Sequence, residues 1–249
     1  MKKKVSLLIF AGQSNMAGRG QFELAPKVET NRAFEFRVIS DPTRLYPVEE
    51  PFGVNENNPN GIYEPDMKKG SMVSSFLNSF APESDSDVVA LSASKGGSII
   101  VEWQPESAYY EDLLKRINKT KIWLQENNYC IENTLFLWLQ GETDGDLGTT
   151  KEEYRELTSN FFACLLKKAV DEIFVLEIGN HRDDPNKYVP IRQAQQELGN
   201  IEHVTFVPTS LKKMAILKHM IDQFHYDQIA YNQLGNETAQ FISNYTHLS

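Results

Sequence analysis

Five short apolar runs constrain this chain more than any other feature of it. Residues 5–11, 88–92, 135–139, 173–178 and 204–207 are rich in Val, Ile, Leu and Phe. Most of them lack the in/out alternation of a strand with one wet face. A strand that is apolar on both sides needs cover on both sides, which is the situation of a parallel sheet between two helical layers. The intervening stretches supply that cover. Residues 71–81 place Met72, Val73, Phe76, Leu77 and Phe80 on one helical stripe, and residues 109–127 do the same with Leu113, Leu114, Ile117 and Leu124. Thr150-Lys151-Glu152-Glu153 is the capping-box start of a helix running to about Ala169. Residues 189–198 and 227–245 complete the helical set, and residues 34–39 are a sixth strand candidate. Strand–helix alternation of this kind predicts right-handed crossovers and an α/β/α three-layer sandwich around a parallel sheet of about five strands.

At 249 residues the chain can bury one sizeable core, so a single domain spanning 1–249 is expected. Its net charge of −9 argues against nucleic acid or an anionic membrane as the main partner. Two cysteines, Cys130 and Cys164, make no disulfide framework, and Cys164 is expected to be a small buried apolar residue. Met1-Lys2-Lys3-Lys4 before the first apolar run imitates a secretory leader. That run is short and leads directly into the serine turn described next, so a first strand and a cytoplasmic protein are expected. No run approaches the ~18 apolar residues of a membrane span.

In a parallel sheet, sites form beyond the C-terminal ends of the strands. Three polar motifs follow strand ends here: Gly12-Gln13-Ser14-Asn15-Met16-Ala17-Gly18, Lys95-Gly96-Gly97-Ser98, and Gln140-Gly141-Glu142-Thr143-Asp144. A serine on a small-residue turn between strand and helix is a good mount for a nucleophile, or else a turn serine satisfying its own backbone. The nucleophile reading requires a base and an orienter elsewhere. Asp222-Gln223-Phe224-His225 offers both, with His225 as general base and Asp222 three residues before it. His181, beside Arg182 and two aspartates, is the rival base; His203, His219 and His247 are the remaining histidines. Oxyanion donors could come from the backbone N–H groups of Ser14 and Gly97 and the side-chain amide of Gln140. Glu142 and Asp144 could form a carboxylate pair or part of a metal site, or serve as loop acids bonded to nearby backbone; Lys95 could anchor Glu142. The pattern Gly-x-Ser-x-Gly of α/β-hydrolases is absent. Residues 40–70 hold Pro42, Pro47, Pro51, Pro59 and Pro65 with Tyr46, Phe52 and Tyr63 interspersed, which predicts a long ordered loop.

Taken in order, these motifs, with Trp138-Leu139 ahead of Gln140 and Leu234-Gly235 after His225, resemble the sialate O-acetylesterase and acetylxylan esterase-like branch of the SGNH (GDSL-like) hydrolases. The resemblance covers most of the chain. It implies a flavodoxin-like sandwich and hydrolysis of acetyl esters on carbohydrate hydroxyls without metal or other cofactor. By resemblance Ser14 is the nucleophile, His225 the base and Asp222 its acid, with Gly97 and Gln140 at the oxyanion positions. Gln13 and Glu142 are auxiliary, Glu142 being a possible second acid near His225. The asparagine of the broader SGNH pattern is replaced by the Gln140 motif, and Asp227 stands where a small hydroxyl residue would start the last helix. The expected partner is a small-molecule or oligosaccharide acetyl ester. Two other classes compete. A carbohydrate-binding module would stack sugars on Trp103, Tyr109, Tyr110 and the aromatics of the 40–70 loop. A phosphate-binding flavodoxin-like protein would use the helix start at Ser14 but leaves His225 unexplained. Trp103 either walls the site or belongs to the core.

Overall fold

A seven-stranded sheet forms the centre of the computed structural model, which describes residues 2–248. In chain order the elements are β1 (Lys3–Gly12), α1 (Ser14–Ala17), β2 (Ala33–Phe36), β3 (Leu45–Pro47), α2 (Val73–Glu83), β4 (Asp87–Ser94), α3 (Ala108–Glu126), β5 (Tyr129–Leu139), α4 (Glu142–Leu147), α5 (Lys151–Lys168), β6 (Glu172–Leu176), α6 (Val189–Leu198), β7 (Val204–Val207), α7 (Met214–Leu217) and α8 (Gln228–Leu248). The strand order is β3-β2-β4-β1-β5-β6-β7, with only β3 antiparallel to its neighbour. The inner five, β4-β1-β5-β6-β7, run in the flavodoxin-like order in which the chain reverses direction across the sheet at the first strand. The expectation of about five strands is therefore corrected to seven. Residues 33–36 extend the sheet beyond β4, and β3 adds a short antiparallel edge inside the stretch expected to be loop.

The two faces can be assigned from register. Phe10 of β1 lies opposite Leu137 of β5, so the two share a face. Phe10 meets Phe76 of α2 edge-on at 5.4 Å. Phe136 and Trp138 flank Leu137 and point the other way, packing on Phe161 of α5 at 6.0 and 5.2 Å. Helices thus cover both faces, and the apolar character of both sides of β1 and β5 follows. α8 lies against α2, with Gly235 at the crossing. A Cβ there would stand 2.4 Å from Met72 O and 2.7 Å from Phe76 N. Cys164 is half-buried at the edge of the core rather than enclosed, and Cys130 is exposed.

Residues 48–70 form an irregular strap across the C-terminal end of β4. It is fastened by polar groups that are themselves buried. Asp112 of α3 accepts from Asn58 Nδ2 (2.7 Å), Ile62 N (3.0 Å) and Arg116 Nε (3.0 Å). Arg116 donates onward to the carbonyls of Ser92, Glu56 and Ile62. Lys68 donates to Ser92 Oγ at 2.7 Å, and burial, with Arg116 adding to it, pushes its ammonium down to about 8. Among the described residues no helix is long and apolar enough to cross a membrane.

Candidate active site

β1 ends where any side chain would collide with its neighbour. Gly12 has φ +135°, and a Cβ on it would stand 2.0 Å from Leu139 O at the end of β5. The chain therefore leaves β1 pressed against β5, and Gln13-Ser14 follow at once. Gln13 joins the two strand ends. Its Oε1 accepts from Gly141 N (3.0 Å) and Thr143 N (3.3 Å), satisfying donors at the start of α4. Ser14 opens α1 at the switch point of the sheet and is 5% exposed.

The loop before α8 brings His225 to it. Asp222 Oδ1 accepts from the amides of Phe224 (2.9 Å) and His225 (2.7 Å), folding the chain into a tight turn. Oδ2 lies 2.7 Å from His225 Nδ1, and His225 Nε2 lies 2.9 Å from Ser14 Oγ. With Nδ1–H donating to the carboxylate, Nε2 is left as acceptor for the serine hydroxyl. Burial holds the His225 imidazole below its ordinary 6.5, against the opposing pull of Asp222. Burial works to raise Asp222, but the two amide donors and the imidazole hold it below the usual carboxylate range. The rival His181 accepts from the amides of Asp183 and Asp184 in its own loop. His203 pairs with Glu172 and His219 with Asp227, and the side chain of His247 lies outside the described residues. Asp227 caps α8 by accepting from Ala230 N at 3.0 Å.

A cleft of about 560 Å³ opens over Ser14 and His225. Gly97, Glu142 and Gln13 line it, as do Tyr63 and Met67 of the strap and Phe224 opposite. Gly97 is exposed, has φ +71°, and nothing stands within 4 Å of where its Cβ would be. Gln140 does not reach this cleft. It is wholly buried, its amide nitrogen donates to Ser98 O (3.0 Å) and to Asp144, and its Oε1 accepts from Tyr154 OH (2.9 Å). An amide already committed to interior acceptors cannot serve as an oxyanion donor without breaking them. Glu142 does not contact His225 either: its Oε1 accepts from Asn15 Nδ2 at 2.6 Å. Its Oε2 is buried with no partner among the described residues, and burial pushes the carboxyl up to about 7. Asp144 turns inward to Ile100 N (3.1 Å), and its burial likewise raises it, to about 6. The two acids thus diverge, and no group of three or more potential metal ligands occurs among the described residues. Lys95 donates to Gly96 O (2.7 Å) rather than to Glu142. Trp103, Tyr110, Tyr46 and Phe52 are core residues, so of the aromatics a binding module would use, Tyr63 is exposed in the cleft wall and Tyr109 is half-buried.

Two features escaped the reading of the sequence. Asn15, wholly buried, donates to Glu142 and to Phe224 O (3.0 Å) and accepts from Tyr231 OH (2.7 Å), so it holds the turn before His225 against α1 and α8. Arg19 and Glu64 form an ion pair in the cleft wall. Asn15 follows the serine directly, which is a signal of sorts. Glu64 lies in the strap, fifty residues from Ser14, with nothing in sequence to connect them.

A serine just past a strand end and a histidine reaching it from a late loop thus meet at the switch point of an α/β/α sandwich with a flavodoxin-like order of strands. The chain belongs to the carbohydrate esterase family of sialic acid-specific acetylesterases, whose pattern matches residues 4–244, and it is accordingly a carboxylic ester hydrolase. Solved structures agree on the fold. A protein of Arabidopsis thaliana superposes with a TM-score of 0.74 at 22% identity, over 98% of this chain and 100% of that one. NanS superposes with a TM-score of 0.70 at 12% identity, over 100% and 99%. A carbohydrate acetylesterase of Xanthomonas citri gives 0.56 at 12%, over 96% of this chain and 54% of the other. No curated protein sequence matches the chain significantly.

Proposed function

We propose that the protein is a serine esterase that removes acetyl groups from carbohydrate hydroxyls through an acetyl-enzyme. One observation carries the reading: Ser14 Oγ, His225 and Asp222 form a continuous relay, with 2.9 and 2.7 Å contacts, at the floor of a cleft. His225 takes the Ser14 proton as Oγ attacks the acetyl carbonyl, and Asp222 stabilises the imidazolium that results. The oxyanion lies between the N–H groups of Ser14 and Gly97. The first is a helix-start donor that α1 cannot satisfy internally, and the second belongs to an exposed residue that lines the cleft. Gln140 supports this arrangement from behind, by holding Ser98 O through its amide. The imidazolium then protonates the departing sugar oxygen, which leaves as the free hydroxyl. His225 next deprotonates a water that attacks the acetyl-enzyme, and its proton returns to Ser14 Oγ as acetate leaves.

The test is hydrolysis of p-nitrophenyl acetate, butyrate and octanoate, with Ser14→Ala as control. Acetate is expected to be preferred, and Ser14→Ala to lower kcat by at least about four orders of magnitude while its circular dichroism is unchanged. Turnover surviving in Ser14→Ala would end the proposal. Acetylated xylan and O-acetylated sialic acid then distinguish the substrate.

A further inference from the structure

Glu64 joins the two turns that carry the oxyanion donors. It is buried, its side chain being 4% exposed, and it lies in the strap rather than on the sheet. One carboxylate oxygen pairs with the Arg19 guanidinium, and Arg19 also donates to Gly18 O at 2.8 Å, closing the turn that begins at Ser14. The other oxygen accepts from Gly96 N at 2.8 Å. Its own amide donates to Asn57 Oδ1 (2.8 Å), which fixes it within the strap.

The Gly96-Gly97 turn needs such a hold. Two adjacent glycines are conformationally free, and Gly97 has no neighbour near its Cβ position to restrain it. Gly96 is glycine because the ion pair fills the space: a Cβ there would stand 2.3 Å from both Arg19 Nη2 and Glu64 Oε1. The next peptide is held at its other end, since Lys95 Nζ donates to Gly96 O at 2.7 Å. A trans peptide points its C=O and N–H in opposite directions, so a fixed Gly96 carbonyl fixes the direction of the Gly97 N–H.

We propose that Glu64 is a positioning residue for ester hydrolysis. Bridging Arg19 and Gly96 N, it locks the Ser14 and Gly97 donors into one oxyanion pocket and makes closure of the strap a condition of catalysis. The proposal rests on the serine-esterase reading above.

The pair also faces the base. Arg19 lowers the His225 imidazole and Glu64 raises it, while Asp222 raises it from within its own turn. Lys95 and Asp146 line the same cleft, as does the buried Glu142 from α4. Removing Glu64 alone leaves the Arg19 charge uncompensated, and His225 should titrate lower. Removing Arg19 alone should make it titrate higher.

The experiment uses the full chain as wild type, Glu64→Gln, Arg19→Met and the double variant. Active sites are counted by labelling Ser14 with an organophosphate and weighing the intact protein. Per labelled site, kcat for p-nitrophenyl acetate is expected to fall roughly 10- to 100-fold in Glu64→Gln and in the double variant, the scale of a misaligned oxyanion donor, with KM within about threefold. The His225 titration, read by NMR, should move down in Glu64→Gln, up in Arg19→Met, and back toward wild type in the double variant. The double variant leaves no buried charge unpaired, so it answers the question if Glu64→Gln folds poorly. A merely structural Glu64 would reduce the number of labelled sites but leave kcat per site within twofold. That result would overturn the positioning role alone. A wild-type chain whose Ser14 neither labels nor turns over ester would overturn the esterase reading, and the positioning role with it.

Discussion

His225, the base of the proposed mechanism, has its protonation set by where it sits. Burial favours its neutral form, so the imidazole titrates below 6.5. Activity needs that neutral form, so kcat/KM for p-nitrophenyl acetate should rise with pH along a single limb whose midpoint lies below 6.5 and then level off through neutrality. A limb centred above 7 would contradict the burial argument. Asp222 offers a sharper probe of the same residue. Asparagine in its place retains an oxygen for the Phe224 and His225 amides but presents an NH₂ to Nδ1, where a donor already points. Asp222→Asn should therefore keep the fold and lose about 10²- to 10⁴-fold in kcat through the wrong tautomer. A loss below tenfold would mean that Asp222 does not orient the ring. At this scale sequence was informative about position and silent about direction. That Ser14, Asp222 and His225 meet was legible because two of the three lie in one turn and the third ends a strand. That Gln140 faces the interior was not legible, since a residue one step past a strand end can turn either way. The choice is made by Tyr154, Ser98 and Asp144, which lie on other segments.

Elements with a continuous apolar run or an apolar stripe announced themselves; those without did not. β1, β4, β5 and β6 are apolar on both sides because helices cover both sides, and α2, α3, α5 and α6 carry stripes or caps that place them within a few residues. β3 is three residues at a sheet edge, and α4 has no apolar stripe at all. α4 begins at a glycine with φ +140°, and its first donors are satisfied by Gln13, from the turn after β1. No local pattern encodes a helix held from outside. Its Glu142 makes a pH signature. Burial raises the folded-state carboxyl to about 7, above its ordinary 4.5, so the folded protein favours the protonated acid. The stability this contributes is complete below about 4.5 and is lost as pH rises through about 7. Glu142→Gln cannot ionise, so its unfolding midpoint relative to wild type should climb over that window and then stay level; parallel curves would refute the assignment. The α2–α8 crossing makes a second prediction. Gly235→Ala drives a methyl into backbone atoms of α2 and should cost about 1–3 kcal/mol. Urea unfolding should show a lower midpoint with an unchanged slope.

On the scale of the whole molecule, the strap connects the helical layer to the cleft. Asp112 and Arg116 sit on α3, and together they hold Asn58, Ile62 and Glu56 of the strap and Ser92 O of β4. The two residues after Ile62, Tyr63 and Glu64, belong to the cleft wall. A buried ion pair adds little net stability when intact, but removing one partner leaves a buried charge, at a cost of about 3–5 kcal/mol. Asp112→Asn is the gentler disturbance: it keeps the shape, weakens the hold on Arg116 and turns one acceptor into a donor facing Arg116, Asn58 or Ile62 N. Because the strap is irregular and held at its middle by these bonds, the damage should stay local. Hydrogen exchange at the Ile62 and Glu64 amides should accelerate at least about tenfold, while amides in β1 and β5 remain as protected as in wild type. Binding should suffer along with the wall, so KM for an acetylated oligosaccharide should rise more than KM for p-nitrophenyl acetate, which uses little of it. Uniform loss of protection across strap and sheet alike would instead make Asp112 a support of the whole fold. Unchanged exchange at Ile62 would show that the strap is held by its apolar side chains, Phe52 and Ile62, and not by α3.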